Sequence, residues 1–131
     1  MPDASIRALL VDDEPLAIER LQILAARLPA LHIVGSAHDA ASALRLIEAF
    51  APELLLLDIA MPGLSGIELA RQLAATTAPP LVIFVTAFDS YAVAAFDVAA
   101  VDYLLKPIDP ERLERAVDRA LAARAAVPQA S

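Results

Sequence analysis

The sequence predicts an α/β fold: a single doubly wound, five-stranded parallel sheet of order 2-1-3-4-5 with five helices. Three observations lead there. Five short apolar runs alternate strictly with segments of helical periodicity, a pattern that demands a parallel sheet covered by helices on both faces. One run, Leu54–Leu57, is apolar at every position, as expected of a strand buried on both faces. The chain has 131 residues, the size of one domain. At that size, right-handed crossovers leave few topologies, and 2-1-3-4-5 is a common doubly wound order.

The elements follow in order. Ile6–Val11 is a short β-like run that ends in Asp12-Asp13-Glu14-Pro15, a helix start with acidic residues as cap and proline in the first turn. From Leu16, apolar positions Ile18, Leu21, Ile23-Leu24 and Leu28 recur at helical spacing until Pro29 stops them. Leu31–Gly35 reads as the second strand. Asp39–Phe50 reads as the second helix, with Leu44, Ile47 and Leu46 as its inward candidates. Leu54–Leu57 is the third strand, closed by Asp58. Met61-Pro62-Gly63 turns the chain, and Ser65 caps a third helix through Ile67, Leu69 and Leu73. After the stiff Pro79-Pro80 connector, Leu81–Val85 is the fourth strand, followed by Thr86. Ser90 to about Asp97 is a short fourth helix, and Val101–Leu105 the fifth strand, ended by Lys106-Pro107. The last helix runs from about Asp109 to Ala126 with an apolar stripe of Leu113, Ala116, Val117, Ala120 and Leu121; Glu111 and Arg115 have the spacing to pair on its outer side. The expected organisation is one domain over residues 1–126, with 127–131 a tail or the start of a linker.

Composition narrows the function classes. The chain has no cysteine, which excludes a disulfide scaffold, a thiolate zinc site and a thiol nucleophile. Hydrophobic residues make up 59%, far too many for a disordered chain. No apolar run approaches the roughly 18 residues of a membrane helix, and the amino terminus has no signal-like region. A soluble, cytoplasmic protein without membrane contact is expected. The net charge of −7 argues against nucleic-acid contact by this chain through a phosphate-neutralising surface. Lys106 is the only lysine beside nine arginines, which makes its place between a strand and a proline worth asking about.

In an open α/β sheet, ligands bind beyond the carboxyl ends of the strands, near the topological switch point. Asp12 and Asp13 follow the first strand, Asp58 the third, Thr86 the fourth and Lys106 the fifth. In the predicted order these strands are neighbours, so three carboxylates converge with a hydroxyl and an ammonium on the far side. Carboxylates packed that closely repel. Lys106 offsets one charge, and an all-oxygen ligand set suits Mg²⁺ for the rest. The chemistry that fits is phosphoryl transfer to a carboxylate. Each residue alone has a simpler explanation, such as a helix cap or a surface lysine; the combination at successive strand ends carries the weight.

These residues also carry a resemblance. Asp12-Asp13, the stretch Leu57-Asp58-Ile59-Ala60-Met61-Pro62-Gly63-Leu64-Ser65-Gly66, Thr86-Ala87 and Asp102-Tyr103-Leu104-Leu105-Lys106-Pro107 are similar in order and spacing to receiver domains of two-component response regulators, the CheY-like superfamily with its flavodoxin-like topology. The resemblance runs from about Ile6 to Ala126. Thr86–Phe96 together with Asp102–Pro107 resembles the LytTR-type (LytR/AlgR) subfamily in particular. It implies that Asp58 accepts a phosphoryl group from the phosphohistidine of a sensor histidine kinase. It implies Mg²⁺ held by Asp13, Asp58 and the backbone carbonyl of Ala60, with Asp12 acting through water. Lys106 and Thr86 would bind phosphoryl oxygens, and Tyr103 would be an aromatic switch moving with Thr86. The Lys106–Pro107 peptide is cis in many relatives. The face made by the fourth helix, fifth strand and fifth helix would then form a homodimer or control a transcriptional output domain that the chain itself lacks, the only route to DNA. Catalysis would be limited to the domain's own phosphorylation and dephosphorylation, so no further enzyme activity is expected.

Two positions depart from the pattern. Ala60 stands where relatives usually carry a longer or polar side chain, so with Phe88 near the mouth the dephosphorylation rate is not inherited. Ala99-Ala100 stands where relatives often have Gly-Ala, read as a minor change. Alternatives are a phosphate-independent scaffold receiver, a haloacid-dehalogenase-type phosphatase and a flavodoxin-like binding module. The phosphatase needs a second aspartate at position 60, and the binding module a phosphate cradle after the first strand; neither is present. His32 and His38 are expected in surface or packing roles. Glu14 is read as a first-turn helix residue favoured by the helix dipole, although it extends the acidic patch toward a metal. Tyr91 and Phe96 are read as either core or partner surface.

Overall fold

The computed structural model describes residues 5–87 and 99–126. The predicted helix Ser90–Asp97, with Tyr91 and Phe96, the residue Phe88 and the tail 127–131 all lie outside the described residues. Within them the order is β1 (Ile6–Val11), α1 (Pro15–Ala25), β2 (Leu31–Ala37), α2 (Ala40–Phe50), β3 (Leu54–Leu57), α3 (Gly66–Ala74), β4 (Leu81–Thr86), β5 (Asp102–Leu105) and a carboxy-terminal helix (Pro110–Ala126). All strands are parallel and the sheet order is β2-β1-β3-β4-β5, as predicted.

Every residue of β3 is buried, and its side chains alternate between two separate cores. Leu54 and Leu56 join Ile6, Ala8 and Leu10 against α1 and the carboxy-terminal helix. Leu55 and Leu57 join Leu9, Val11 and Phe84 against α2 and α3. The carboxy-terminal helix contributes Leu113, Ala116, Val117 and Ala120 as buried residues, the stripe its spacing predicts.

Several local expectations change. β2 continues past Gly35 to Ala37, because Gly35, Ser36 and Ala37 pair with Leu9, Leu10 and Val11. The register shifts between Ala8 and Leu9, which leaves Val34 as the extra residue. α1 ends at Ala25, not Leu28; Arg27 and Leu28 instead donate to the carbonyls three residues back, a tightened last turn. Ile23 and Leu44 face solvent, with 50% and 38% of their surface exposed. The buried stripe of α2 is Ala40 and Ala43, with Leu46 and Ile47 partly covered, and Leu44 lies one step off it.

The amino end of the sheet is tied by charge. Arg7 donates to the carbonyls of Phe50 and Ala51 at 2.8 Å each, closing the carboxyl end of α2. Glu53 accepts from the Arg7 amide at 3.0 Å and from Arg124 at 3.2 Å, and Arg124 also reaches the Ser5 carbonyl at 2.7 Å. Ala99 has φ 55°, a left-handed conformation that costs a side-chain-bearing residue about 1 kcal/mol or more. Alanine for glycine at this position is therefore not the minor change expected from sequence.

Candidate functional site

Ladder hydrogen bonding continues one residue past each of three strands, and that sets the site. The Asp12 amide donates to the Ala37 carbonyl at 3.0 Å, the Asp58 amide to the Val11 carbonyl at 2.8 Å, and the Lys106 amide to the Thr86 carbonyl at 2.8 Å. Asp12, Asp58 and Lys106 are thereby fixed at the carboxyl edge, with Asp58 directly after the central strand. Asp12, Asp58 and Thr86 are the buried polar residues among the described residues. The Lys106–Pro107 peptide is cis.

One carboxylate oxygen each from Asp12, Asp13, Glu14 and Asp58 lies within 4.8 Å of the others. Lys106 Nζ stands among them, 2.8 Å from Asp12 Oδ2, 3.0 Å from Glu14 Oε1 and 3.6 Å from Asp58 Oδ2. Burial pushes the Asp58 carboxyl up to about 6, helped by the negative charge of Asp12; the Lys106 ammonium and the Ala60 amide pull it down without cancelling the rise. Burial pulls Lys106 down, but Asp12, Glu14 and Asp58 together outweigh it and hold the ammonium above its ordinary value.

The loops explain these positions. Asp12 does not cap α1 as a helix-start reading expects; its Oδ1 accepts from the Glu14 amide at 2.9 Å. Glu14 occupies the cap position with no side-chain cap bond, ahead of Pro15 in the first turn. Ser65 does cap α3, its hydroxyl accepting from the Glu68 amide at 3.2 Å. Gly66 opens that helix against the phosphoacceptor candidate: its amide donates to the Ile59 carbonyl at 2.9 Å, and an added Cβ would collide with the Asp58 carbonyl oxygen. Ala60, the expected backbone ligand, is exposed, and its amide approaches Asp58 Oδ1 at 3.4 Å.

The donor set fits a hard divalent cation. All side-chain donors are carboxylate oxygens, the class such a cation prefers. Asp12 Oδ2 supplies a second sign: it is buried and has no hydrogen-bond partner, and it faces the Lys106 ammonium at 2.8 Å. A buried carboxylate oxygen with free lone pairs is a natural ligand for a cation or its water.

The expected switch pair sits beside this cluster. Thr86 is buried at the end of β4, and Tyr103 of β5 is partly buried against the α2/α3 core. Around Tyr103 is a network that sequence reasoning missed. Asp102 accepts from Arg112 at 2.8 and 2.6 Å and lies 3.4 Å from Arg119, while its Oδ1 takes the Tyr103 amide at 2.8 Å. Burial pushes the Asp102 carboxyl up, yet the Arg112 bonds prevail and hold it below the usual range. Arg112 and Arg119 of the carboxy-terminal helix thus pair with Asp102, and Arg124 pairs with Glu53. Glu14 was singled out in the sequence, but not as a partner of Lys106.

The fold and this edge define a class: doubly wound α/β domains with an acidic pocket at the switch point. The family model "Response regulator receiver domain" matches residues 8–118, and the chain belongs to that family. Over 114 residues it is 49% identical to an uncharacterized response regulatory protein of Vibrio cholerae, covering 86% of this chain and 44% of that one. It is 47% identical to the positive alginate biosynthesis regulatory protein of Pseudomonas aeruginosa, covering 88% and 47%, in keeping with the resemblance to LytTR-type receivers. It is 43% identical to the transcriptional regulatory protein BtsR of Escherichia coli, covering 87% and 47%. The chain spans about half the length of the curated relatives it matches. Among solved structures it is similar to the response regulatory domain of protein mrkE from Klebsiella pneumoniae (TM-score 0.82, 31% identity, 90% of this chain and 97% of that one). It is also similar to a LuxR-family two-component response regulator from Aurantimonas (TM-score 0.83, 31% identity, 91% and 86%). Residues 8–118 are thus a receiver domain of the two-component response regulators. Among the described residues, no helix is long and apolar enough to cross a membrane.

Proposed function

We propose that this domain is switched by phosphorylation of Asp58 with Mg²⁺ bound by Asp13, Asp58 and the Ala60 carbonyl, and by Asp12 through water. The observation that carries the reading is the Asp58 carboxylate itself: buried, one residue past the central strand, beside Asp12 and 3.6 Å from Lys106. An Asp58 oxygen forms a bond to phosphorus as the phosphorus–nitrogen bond of a kinase phosphohistidine breaks, and the imidazole leaves with the bonding pair. Bound Mg²⁺ supplies positive charge against the phosphoryl oxygens and the carboxylates. The chain's own groups do the rest. Asp58 must be ionised to attack, which its carboxyl near 6 allows at neutral pH. Lys106 turns from carboxylates to a phosphoryl oxygen, and the Thr86 hydroxyl takes another.

Thr86 and Tyr103 then move together, and the face carried by β5 and the carboxy-terminal helix changes its association. The proposed readouts are homodimerisation or control of an output domain. Catalysis is confined to the domain's own phosphorylation and dephosphorylation. Incubation with Mg²⁺ and acetyl phosphate, read by intact mass beside an Asp58→Asn control, tests this. The expected result is one added phosphoryl group in the parent alone. No gain with Mg²⁺ bound would favour a kinase-only or phosphate-independent receiver, and no gain without Mg²⁺ binding would sink the site.

A further inference from the structure

We infer that Glu14 is a positioning residue for Lys106: its carboxylate holds the ammonium away from Asp58 until a phosphoryl group draws it off. This deepens, and rests on, the reading of Asp58 as phosphoacceptor. Lys106 Nζ is hydrogen-bonded to Glu14 Oε1 at 3.0 Å and lies 2.8 Å from Asp12 Oδ2, but is 3.6 Å from Asp58 Oδ2. The ammonium thus sits nearer both neighbours than the proposed nucleophile. Local chemistry frees Glu14 for this role. It stands at the helix cap position without capping, and Asp12 already takes its amide, so its carboxylate reaches across 92 residues of sequence.

The two holds on Lys106 differ in strength. Asp12 is buried, and separating it from Lys106 would strand a desolvated charge. The Glu14 side chain is 66% exposed, so water replaces its contact readily. An exposed pair of this kind shifts an equilibrium by at most about fivefold. That is strong enough to bias the resting state and weak enough for a phosphoryl oxygen to displace. An ammonium with three rotatable donors can release Glu14 while keeping Asp12. Glu14 touches no reacting atom and acts only through Lys106.

Three proteins separate the possibilities: the parent, Glu14→Gln and Glu14→Asp. Glu14→Gln removes the charge at constant size, and Glu14→Asp keeps the charge on a shorter stem. At saturating Mg²⁺, acetyl phosphate should phosphorylate the Gln variant about two- to fivefold faster than the parent. The Asp variant should move toward the Gln variant, and the gap should close as salt is raised. An Asp variant that behaves as the parent would show that only bulk charge matters and overturn the proposal. A Gln variant that is slower than the parent at limiting Mg²⁺ and regains the parent's rate at saturating Mg²⁺ would also overturn it, by making Glu14 a metal residue. Lys106 is the only lysine, so one ¹³Cε-lysine resonance reports the contact without any phosphorylation. A resonance unmoved by Glu14→Gln in the metal-free protein overturns the inference. A parent that takes no phosphoryl group, with a resonance that does move, overturns the phosphoacceptor reading and leaves the contact standing.

Discussion

Replacing Asp58 with asparagine should make the metal-free protein more stable at neutral pH. Burial and Asp12 raise the Asp58 carboxyl from 3.8 to about 6, so the folded protein binds its proton more tightly than the unfolded chain does. That contribution is fully present below pH 3.8 and is lost as pH rises through about 6. Ionising Asp58 in the fold therefore costs up to about 3 kcal/mol at pH 7 and above. Asparagine carries no charge to repel Asp12. Urea or thermal unfolding in the presence of a chelator, from pH 4 to 8, measures the difference. The variant should match the parent near pH 4 and exceed it by about 1–3 kcal/mol above pH 7, with about 3–4 °C in Tm per kcal/mol. Saturating Mg²⁺ should narrow or reverse the order, because a ligand at a hundred times its Kd stabilises by about 2.7 kcal/mol and the variant lacks one carboxylate. A variant no more stable than the parent at pH 7–8 without metal would refute the account of like charges held together by the fold.

Other perturbations probe the surrounding structure. Arg112→Ala removes the paired bonds to Asp102, whose side chain is 6% exposed, and should cost about 2–3 kcal/mol in urea unfolding at pH 7. Because Asp102 titrates below its usual range, its contribution is present above pH 3.8 and lost as pH falls below it, so the gap between parent and variant should shrink only in acid. Ala99→Gly should raise stability by up to about 1 kcal/mol, since φ 55° suits glycine and the greater freedom of the unfolded chain offsets part of the gain; a loss in thermal unfolding would contradict this. Gly66→Ala drives a Cβ into the Asp58 carbonyl and should lower both stability and Mg²⁺ affinity by calorimetry, whereas an unchanged Mg²⁺ affinity would mean the loop yields without moving Asp58.

The strands and the acidic edge were legible because one periodicity carries both. Apolar runs stop where the strands leave the core, so the polar residue after each run marks a position on the carboxyl edge. Asp12, Asp58, Thr86 and Lys106 follow from that pattern with the strand order. Leu44 did not, since several apolar residues of α2 share a broad face and the packing against β1 and β2 selects Ala40 and Ala43. Ala99 did not, because an alanine gives no sign of a positive φ. The Glu14–Lys106 and Asp102–Arg112 contacts were hidden for different reasons. The first joins residues 92 apart, and the second uses an aspartate inside a motif whose neighbours Tyr103 and Lys106 drew the attention.

The cations of this chain divide by task. Where a carboxylate is held still, a guanidinium holds it: Arg112 grips Asp102 with two donors, and Arg124 joins Glu53 to the start of the chain's first strand. Where several oxygens share one cation, the chain uses its only lysine. A planar fork at Lys106 would fasten two carboxylates at once and resist any exchange of partner. Charge alone therefore does not describe position 106. The proposed exchange from Glu14 to a phosphoryl oxygen calls for a cation that can change hands, and the lone lysine of an arginine-rich sequence stands at that place.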